Sequence, residues 1–480
     1  MKYPRASQLL IGAVIWSWLC ISIAARSVTT IAQFDGTDGL TPKDSLIQGI
    51  DGDFYGTAYY GGAHSGGTVF KVSPSGELTA VYSFCSKRQC RDGSGPESSL
   101  LLSTNGEFYG TTFWGGNGMG GTTFKMNSKG KVSTLMKFST PSSPDGLVQG
   151  SDGNFYGTTY WGGNGGGCLP GYVSCGTVFR MTPAGNVSTL YGFCSQLNCV
   201  DGGLPWAGLI QGSDGYFYGT TYGGGANCEG VGSLGCGTVF KVAFDGSLTT
   251  LYSFCSEANC ADGAWPIAGL VQGTDGNYYG STPAGGNGEE GTIFRIAPDG
   301  QFDTLYSFCS EPSCADGESP SGSLIQGTDG SFYGVTAGGG LNNSGTIFQF
   351  TSGFALNTLY SFCSQPNCAD GDQPSGGLLQ GTDGNFYGTT SSTVFRLSMG
   401  LPPFVSTQPT YGDIGSKVVI LGSNLLGASA VSFNGSPAKF KVLSTTEIST
   451  KVPGGASSGF IAVTTPKGIL YSKLPFSVTP

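Results

Sequence analysis

Short runs of alternating apolar and polar residues, separated by Gly-, Asp- and Asn-containing turns, cover most of the chain. In residues 208–254 an apolar run (Gly-Leu-Ile-Gln-Gly) leads through Asp-Gly into the alternating run Tyr216–Tyr222. A Gly-rich loop, the run Gly237–Val242, a second Asp-Gly and the run Leu248–Phe254 follow. A period of two predicts β-strands, and Asp-Gly between two such runs predicts a hairpin. The segment therefore predicts four antiparallel strands, the content of one propeller blade.

The hexapeptide Asp-Gly-X-Phe-Tyr-Gly marks each copy of this pattern, at intervals of about 50 residues, which is typical of solenoids and propellers. Two copies are variants, with Asn105 in place of Asp and Tyr278 in place of Phe. The copies begin at Asp51, Asn105, Asp152, Asp214, Asp275, Asp329 and Asp383.

The two ends of the repeat region complement each other. In repeats one to six, the third strand is followed by a fourth. In the seventh repeat the pattern stops after the third strand, Thr393–Leu397. An unpaired copy of the fourth strand, Val28–Phe34, precedes the first repeat. We expect this N-terminal strand to complete the last unit and so to remove the sheet edges. The sequence thus predicts an all-β protein with a seven-bladed β-propeller over residues 27–399.

A second domain is predicted after Leu401-Pro-Pro403, where the composition changes and cysteine disappears. Alternating apolar residues separated by Gly, Asn and Pro turns predict an immunoglobulin-like β-sandwich over residues 404–478.

Both regions resemble known families. The repeat resembles the Gloeobacter/Verrucomicrobia-type (GloVer) tandem repeat of exported choice-of-anchor proteins, through Gly208–Thr221 and Gly237–Lys241. This resemblance implies export and a propeller-like fold, and it implies no activity. The C-terminal region resembles an IPT/TIG domain, a spacer or protein-contact module in exported proteins. The matching segments are Gly415–Asn424, Val431–Ala438, Thr446–Ile448, Val452–Gly454 and Ile461–Pro466.

Residues 1–25 have the pattern of a secretory signal peptide. Lys2 and Arg5 precede the apolar stretch Leu9–Ile23, and Ala24 and Ala25 supply small residues for cleavage. An uncleaved membrane anchor is the alternative, but the stretch is short for a span. We find no second apolar run of spanning length, so the sequence predicts no membrane span after cleavage. The expected location is secreted or cell envelope, either extracellular or periplasmic.

The acidic balance of the chain excludes two classes of partner. The formal net charge is −9, and cleavage of the signal peptide removes two basic residues. Nucleic-acid binding needs a basic surface, and attraction to anionic lipid needs basic clusters. The sequence therefore predicts a glycan or an extracellular protein as partner, and leaves the oligomeric state open.

Cysteine spacing predicts local disulfides. Without Cys20, 14 of the 15 cysteines remain, five pairs at i, i+5 and two pairs inside Gly-rich loops. An exported chain favours disulfides. Zinc is the alternative, but His64 is the only histidine and no Cys-X-X-Cys occurs. The predicted pairs are Cys85/Cys90, Cys194/Cys199, Cys255/Cys260, Cys309/Cys314, Cys363/Cys368, Cys168/Cys175 and Cys228/Cys236.

The strand order divides the connections between two faces of the propeller. The Asp-Gly hairpins lie on one end, the hairpin face, whereas the Gly-rich loops and Cys-bearing crossovers lie on the other, the loop face. All four tryptophans of the mature chain map to the loop face of successive blades, which suggests an arc of rings that stack on sugars. Alternatively, the rings fill gaps between loops. The candidate ligand-binding residues are Trp114, Trp161, Trp206, Trp265, Tyr59, Tyr60 and Tyr222.

Polar residues that recur in the repeats are predicted to be structural, because a single active site must break the symmetry. One set is a glutamine series, expected to form a polar network. The other is a crossover Asp-Gly at Asp38, Asp92, Asp145, Asp201, Asp262, Asp316 and Asp370, expected to bind backbone amides.

The sequence predicts no catalytic residue, metal or cofactor. No Gly-X-Ser-X-Gly elbow is present, and His64 is expected to be a solvated loop residue. Paired carboxylates for glycoside cleavage depend on spatial proximity and cannot be read from the sequence; Glu229, Glu289 and Glu290 are weak candidates. The favoured hypothesis is an exported, non-enzymatic binding or surface-interaction protein. The alternatives are a carbohydrate-active hydrolase or lyase, and a structural envelope component.

Overall fold

The computed structural model describes residues 26–139, 142–163, 168, 174–226 and 235–479. The predicted signal peptide, Cys20, Cys228 and Glu229 lie outside the described residues. Among the described residues, no helix is both long and apolar enough to span a bilayer.

Within the described part of residues 27–398, the chain forms seven antiparallel sheets of four or five strands, numbered 1 to 7 here in chain order. The first strands are Ile47–Gln48, Leu101–Leu102, Pro144–Gln149, Ile210–Gln211, Val271–Gln272, Ile325–Gln326 and Leu379–Gln380. The second strands are Phe54–Tyr60, Phe108–Thr112, Phe155–Thr159, Phe217–Thr221, Tyr278–Thr282, Phe332–Gly338 and Phe386–Thr389. The third strands are Thr68–Val72, Thr122–Met126, Thr177–Met181, Thr238–Val242, Thr292–Ile296, Thr346–Phe350 and Thr393–Ser398.

The fourth strands of sheets 1 to 6 are Leu78–Ser83, Val132–Lys137, Val187–Gly192, Leu248–Ser253, Phe302–Ser307 and Leu356–Ser361. In sheet 7 the N-terminal strand Ser27–Gln33 takes this place and pairs antiparallel with the third strand, Thr393–Ser398. The predicted completion of the last unit by the N-terminus is therefore confirmed.

Two short extra strands and five 3₁₀ turns accompany the sheets in the described part of the chain. Leu40–Pro42 extends sheet 1 and Glu318–Pro320 extends sheet 6, each by pairing with the second strand. Single 3₁₀ turns lie at the cysteine-bearing crossovers: Arg88–Cys90, Leu197–Cys199, Ala258–Cys260, Pro312–Cys314 and Pro366–Cys368.

The hexapeptide holds each sheet together through three contacts, as in sheet 1. The Tyr55 hydroxyl donates to the Asp51 carboxylate at 2.7 Å, which closes the hairpin. Phe54 is buried against the neighbouring sheet. Gly56 lies under the Phe70 ring of the third strand, where an added Cβ would come within 2.5 Å of the ring. The motif therefore recurs because each of its side chains has a packing role.

A closed ring of aromatic pairs joins the sheets. The motif tyrosine of each sheet packs on the first aromatic residue of the next motif, and the seventh tyrosine packs on Phe54 of sheet 1. The centroid distances are 4.5 Å for Tyr55–Phe108, 4.2 Å for Tyr109–Phe155, 4.1 Å for Tyr156–Phe217, 3.8 Å for Tyr218–Tyr278, 4.1 Å for Tyr279–Phe332, 4.2 Å for Tyr333–Phe386 and 4.0 Å for Tyr387–Phe54.

A ring of glutamines makes a second set of contacts between sheets, as the sequence predicts. Each glutamine Oε1 accepts a backbone amide from the hairpin of the neighbouring sheet. The pairs are Thr104–Gln149 at 3.1 Å, Ser151–Gln211 at 2.9 Å, Ser213–Gln272 at 3.0 Å, Thr274–Gln326 at 3.0 Å, Thr328–Gln380 at 3.1 Å and Thr382–Gln48 at 3.0 Å. Between sheets 1 and 2 this polar pair is replaced by Ile50 and Leu102.

The C-terminal residues form a β-sandwich whose core includes Val418, Ile420, Phe433, Ile448 and Val463, all buried. One sheet contains, in order, Ser406–Gln408, Lys417–Leu421, Glu447–Lys451 and Phe440–Val442. The other contains Ser436–Pro437, Ala430–Phe433, Ile461–Thr465 and Gly468–Tyr471. In addition, Tyr411–Gly412 pairs in parallel with Ser477–Val478.

The sandwich docks on the hairpin face, at the break in the glutamine ring. Leu421 joins a hydrophobic cluster that contains Ile50 and Leu102. The Thr446 hydroxyl donates to the Ile50 carbonyl at 3.2 Å, and the Ser423 hydroxyl donates to the Thr382 carbonyl at 3.1 Å. Polar-to-apolar replacements in the repeat thus mark the docking site, and these contacts of the sandwich all lie on the hairpin face.

Candidate functional site

The loop face carries a continuous arc of aromatic rings that includes all seven candidate residues. The Trp114 indole Nε1 donates to the Tyr59 hydroxyl at 2.9 Å, and Tyr160, which the sequence analysis missed, bridges two tryptophans. Centroid distances along the arc are 4.6 Å for Tyr59–Tyr60, 5.9 Å for Trp114–Trp161, 5.2 Å for Trp161–Tyr160, 4.7 Å for Tyr160–Trp206, 5.9 Å for Trp206–Tyr222 and 6.4 Å for Tyr222–Trp265.

The arc combines fixed rings with accessible ones. The Trp265 indole Nε1 donates to the Gly235 carbonyl at 2.9 Å, so this ring, like Trp114, is held by a hydrogen bond. Tyr60 is 55% exposed and Trp206 is 41% exposed. The other candidate rings are half-buried. Each ring therefore packs on its neighbours and still presents some surface to solvent.

A cavity of about 610 Å³ opens beside this arc, and Trp206 and Tyr222 form part of its wall. All seven sheets contribute residues to its lining, so it lies at the centre of the ring. Apart from Tyr222, the lining comes from the part of each repeat that follows the crossover proline, up to the start of the first strand or, in sheet 3, within it. In sheets 1, 4 and 6, for example, this part supplies Lys43–Ser45, Trp206–Leu209 and Ser321–Ser323.

Three carboxylates enter the cavity from adjacent sheets. Asp44 comes from sheet 1, Glu97 from sheet 2 and Asp145 from sheet 3, and all three are half-buried. At the corresponding places in sheets 4 and 5 the lining is apolar, with residues such as Ala207 and Ala268. The cavity therefore has an acidic side and an apolar side.

The three carboxyl groups differ in their partners. The Asp44 carboxylate accepts the backbone amides of Ser45 at 2.6 Å and Ser99 at 2.8 Å. The Asp145 carboxylate accepts the amide of Gly146 at 2.7 Å. Backbone donors favour the ionised form of a carboxyl group, so these bonds stabilise the charges of Asp44 and Asp145.

Burial acts in the opposite direction on all three groups. Burial raises the pKa of Glu97 to about 7; the charge of Lys43 opposes this shift and that of Asp44 adds to it. Burial also raises the pKa of Asp145 well above its usual range, and the charges of Glu97 and Asp44 add to the effect. The pKa of Asp44 is raised by burial against its amide hydrogen bonds. The cavity thus brings three carboxyl groups together, and burial lets Glu97 hold a proton near neutral pH.

Five of the recurring crossover aspartates are structural, as predicted. In sheet 4, for example, the buried Asp262 carboxylate accepts hydrogen bonds from the Tyr252 hydroxyl, the Ser256 amide and hydroxyl, and the Glu257 amide. We call this set of donors the cradle. The same cradle surrounds Asp92, Asp201, Asp316 and Asp370.

Asp145 accepts a backbone amide, as the sequence predicts, but it lacks the side-chain partners of the other five and also lines the cavity. The other crossover aspartates precede their crossover proline by four residues, whereas Asp145 directly follows Pro144. It therefore lies in the first strand Pro144–Gln149, in the segment that lines the cavity. Asp38 also differs, because it accepts a hydrogen bond from the Asp35 amide.

The cavity acids were missed by the sequence analysis, although the repeat contains a signal for them. The residues after the crossover proline vary more than the hexapeptide, and they carry a carboxylate only in the first three repeats, at Asp44, Glu97 and Asp145. The other symmetry-breaking acids, Glu289 and Glu290, lie in a Gly-rich loop outside the cavity lining.

Metal-ligand geometry among the described residues occurs only at cysteines. The groups of three ligand atoms within 4.8 Å are Cys168, Cys175 and Cys194, and Cys236, Cys255 and Cys260. These sulfurs are disulfide-bonded and so are not the thiolates that bind zinc. The disulfides in the described residues are Cys85–Cys90, Cys168–Cys175, Cys194–Cys199, Cys255–Cys260, Cys309–Cys314 and Cys363–Cys368.

The architecture is that of a propeller-like repeat protein with a C-terminal immunoglobulin-like domain. The Gloeobacter/Verrucomicrobia repeat matches residues 19–232 and 143–396, and the IPT/TIG domain matches residues 402–478. The chain therefore belongs to the Gloeobacter/Verrucomicrobia repeat family and ends in an IPT/TIG domain. No curated protein sequence matches the chain.

Solved structures share the fold at low sequence identity. A streptogramin B lyase is 16% identical with a TM-score of 0.52, over 78% of this chain and 97% of the lyase. A fungal alcohol oxidase in complex with copper is 11% identical with a TM-score of 0.52, over 95% of this chain and all (100%) of the oxidase. The extracellular domain of a protein described as a hybrid two-component system from B. thetaiotaomicron is 12% identical with a TM-score of 0.51, over 95% of this chain and 60% of that domain. Such identities establish the fold alone.

Proposed function

We propose that the protein is an exported glycan-binding protein whose seven sheets are the blades of a closed propeller and whose loop face holds a saccharide. The observation that carries the proposal is the unbroken aromatic arc beside the central cavity. Aromatic rings offer an apolar face for the C–H side of a sugar ring, and indole and phenol groups add hydrogen bonds.

The rigidity of the arc supports binding rather than simple gap filling. The hydrogen bonds of Trp114 to Tyr59 and of Trp265 to Gly235 fix ring orientations before a ligand arrives. A preorganised surface loses little side-chain entropy on binding. The exposed ring of Trp206, which lines the cavity, is the central contact in this proposal.

The position of the second domain also supports a ligand site on the loop face. The sandwich covers part of the hairpin face through Leu421 and Thr446, so it leaves the arc and the cavity accessible. Disulfides belong to oxidising compartments, which agrees with a site that meets external saccharides.

A glycan panel tests this proposal, using the oxidised mature chain and soluble and insoluble polysaccharides. We expect saturable binding that Trp206→Ala and the double variant Trp114→Ala/Trp161→Ala each weaken at least 10-fold. Tyr216→Ala is the matched control, because Tyr216 is an exposed aromatic residue of a hairpin and lies outside the arc. Near-UV circular dichroism checks that the variants are folded. Absence of binding across the panel would overturn the proposal and point to a protein partner or to assembly.

Glycoside cleavage is a second candidate, favoured by the contrast between two cavity carboxyls. Glu97, with its pKa raised to about 7, holds a proton near neutral pH and suits a general acid. Asp44 is the candidate for the ionised partner, because its carboxylate accepts two backbone amides, which oppose the rise of its pKa on burial. Release of reducing ends from a bound polysaccharide, lost in Glu97→Gln, is the expected result. Binding without release, at equal protein concentration over a day, would exclude this candidate.

A further inference from the structure

We propose that the central cavity selects a saccharide that carries protonated amino groups, an amino sugar, over its neutral counterparts. This inference rests on the proposed glycan-binding function and specifies the class of ligand. It follows from the charge, the shape and the two chemically different sides of the cavity.

The carboxyl groups of the cavity outnumber its basic groups. Its charged lining residues are Asp44, Glu97, Asp145 and a single cation, Lys43. The ion pairs within 4.0 Å in the described part of the chain all lie elsewhere: Lys71 with Asp51 and Asp53, Lys125 with Glu107, and Arg295 with Asp303. None of the three cavity carboxyl groups therefore forms an ion pair within 4.0 Å with a described residue, and a cationic ligand would pair with them in their ionised form.

The opposite side of the cavity favours a ligand with an apolar face. Trp206 and Tyr222 line it next to Ala207 and Ala268, and Trp206 presents 41% of its surface. An aromatic face attracts a nearby cation as well as the C–H face of a sugar. A ring that carries an ammonium group matches both sides at once, whereas a neutral sugar leaves the acidic side without a partner.

A single metal ion does not match the carboxylate positions. The oxygens of Asp44, Glu97 and Asp145 do not form a group of three ligand atoms within 4.8 Å of one another, which a shared ion requires. The acids are instead distributed over three adjacent sheets around a volume of about 610 Å³, large enough for more than one sugar ring. An extended organic cation therefore fits the distribution better than an ion.

Proton linkage gives a readout that is independent of affinity. The pKa of Glu97 is raised to about 7, so near pH 6 this carboxyl is largely protonated in the free protein. The charged groups that face it in the cavity are Lys43, Asp44 and Asp145. A bound ammonium group favours the ionised carboxyl, so binding of an amino sugar near pH 6 should release protons into the buffer.

The experiment compares matched ligands on the oxidised mature chain. Isothermal titration calorimetry at pH 6 measures a glucosamine oligosaccharide and its N-acetylated form, which share length and linkage and differ in charge. We expect the free amine to bind at least 10-fold tighter, with a preference that shrinks as salt is added. Titrations in two buffers of different ionisation enthalpy should give a net proton release for the amine ligand alone.

Variants assign the preference to the cavity. Glu97→Gln and Asp145→Asn should each reduce the ratio of the affinity for the amine to the affinity for the N-acetylated form. Glu289→Gln, an exposed loop-face acid outside the cavity lining, should leave the preference unchanged. Because the two ligands are also compared on the unaltered protein, a variant that fails to fold does not decide the outcome.

Three results would overturn the inference. Equal affinity for both oligosaccharides, or tighter binding of the N-acetylated one, would reject charge selection while the glycan-binding function stands. A preference that survives in Glu97→Gln and Asp145→Asn would place the selection outside the cavity. Binding of neither ligand would also reject it, and the panel of neutral glycans would then show whether the glycan-binding function fails as well.

Discussion

The ring of Tyr387 packs on the ring of Phe54 at a centroid distance of 4.0 Å, although the two residues belong to the last and the first repeat. The pair has the same geometry as the six other motif pairs, so the contact that closes the ring is made by the motif itself. The strand Ser27–Gln33 adds a second link between the two ends of the repeat region, because it pairs with Thr393–Ser398 inside sheet 7.

The closing pair should contribute as much stability as an internal pair. We expect Phe54→Ala and Phe155→Ala to lower the free energy of unfolding by similar amounts, each about 3 to 5 kcal/mol, because both rings are 1% exposed. Urea denaturation followed by tryptophan fluorescence measures both. A Phe54→Ala variant as stable as the natural protein would mean that the ring is open in solution.

The crossover cradle should be sensitive to loss of its charge. Asp262→Asn replaces a buried acceptor of four hydrogen bonds, so we expect a loss of roughly 1 to 3 kcal/mol in the free energy of unfolding. Asp245→Asn is the control, because Asp245 lies in an exposed hairpin and accepts one amide, from Ser247. Equal effects of the two substitutions on thermal unfolding would contradict the structural role of the cradle.

Glu97 should make the stability of the fold depend on pH. Its folded-state pKa of about 7 lies above the ordinary value of 4.5, so the folded chain holds this proton more tightly than the unfolded chain. The ionised side chain therefore destabilises the fold progressively between these two pH values, and by a constant amount above them. We expect Glu97→Gln to be more stable than the natural protein by about 3 kcal/mol at pH 8 and equally stable at pH 4. Denaturation midpoints at the two pH values measure this difference, and a gain at pH 4 as large as at pH 8 would rule out the proton as its cause.

The IPT/TIG domain should detach when its apolar anchor is charged. Leu421 is 5% exposed and packs in the cluster of Ile50 and Leu102, so Leu421→Asp places a carboxylate in that contact. We expect a larger radius of gyration in small-angle scattering and faster proteolysis near Leu401-Pro-Pro403, with both domains still folded. Leu426→Asp is the control, because Leu426 is 59% exposed. Unchanged scattering of Leu421→Asp would show that the polar contacts of Thr446 and Ser423 suffice for docking.

Local pattern predicted most of the architecture. Each hairpin follows from an Asp-Gly pair between alternating runs, and the pairing of Val28 with Leu397 follows from a surplus strand at one end and a deficit at the other. The aromatic arc was also predictable, because antiparallel strands place Trp114 and Trp206 on the same face. These features were predictable because each depends on the order of strands and turns within one repeat, which is the same in every repeat.

The docking of the sandwich and the acidic cavity were decided by tertiary structure. Ile50 and Leu102 are separated by a whole repeat unit and become one apolar patch only when sheets 1 and 2 stand side by side. Asp145 carries the same Asp-Gly pair as the structural aspartates, but it follows its proline instead of preceding it, and only the fold shows that this position lines the cavity.

The sequence by itself determined the repeat unit, the completion of the last unit by the N-terminal strand, the two faces and the local disulfide pairs. Each depends on residues that are close in the chain or on counting repeats. Only the tertiary structure brought Asp44, Glu97 and Asp145 together in one cavity beside Trp206, because ring closure converts positions that are one repeat apart into neighbours around a common centre. Burial in that cavity raises the pKa of Glu97, and this burial depends on residues from several repeats that meet only in the folded protein.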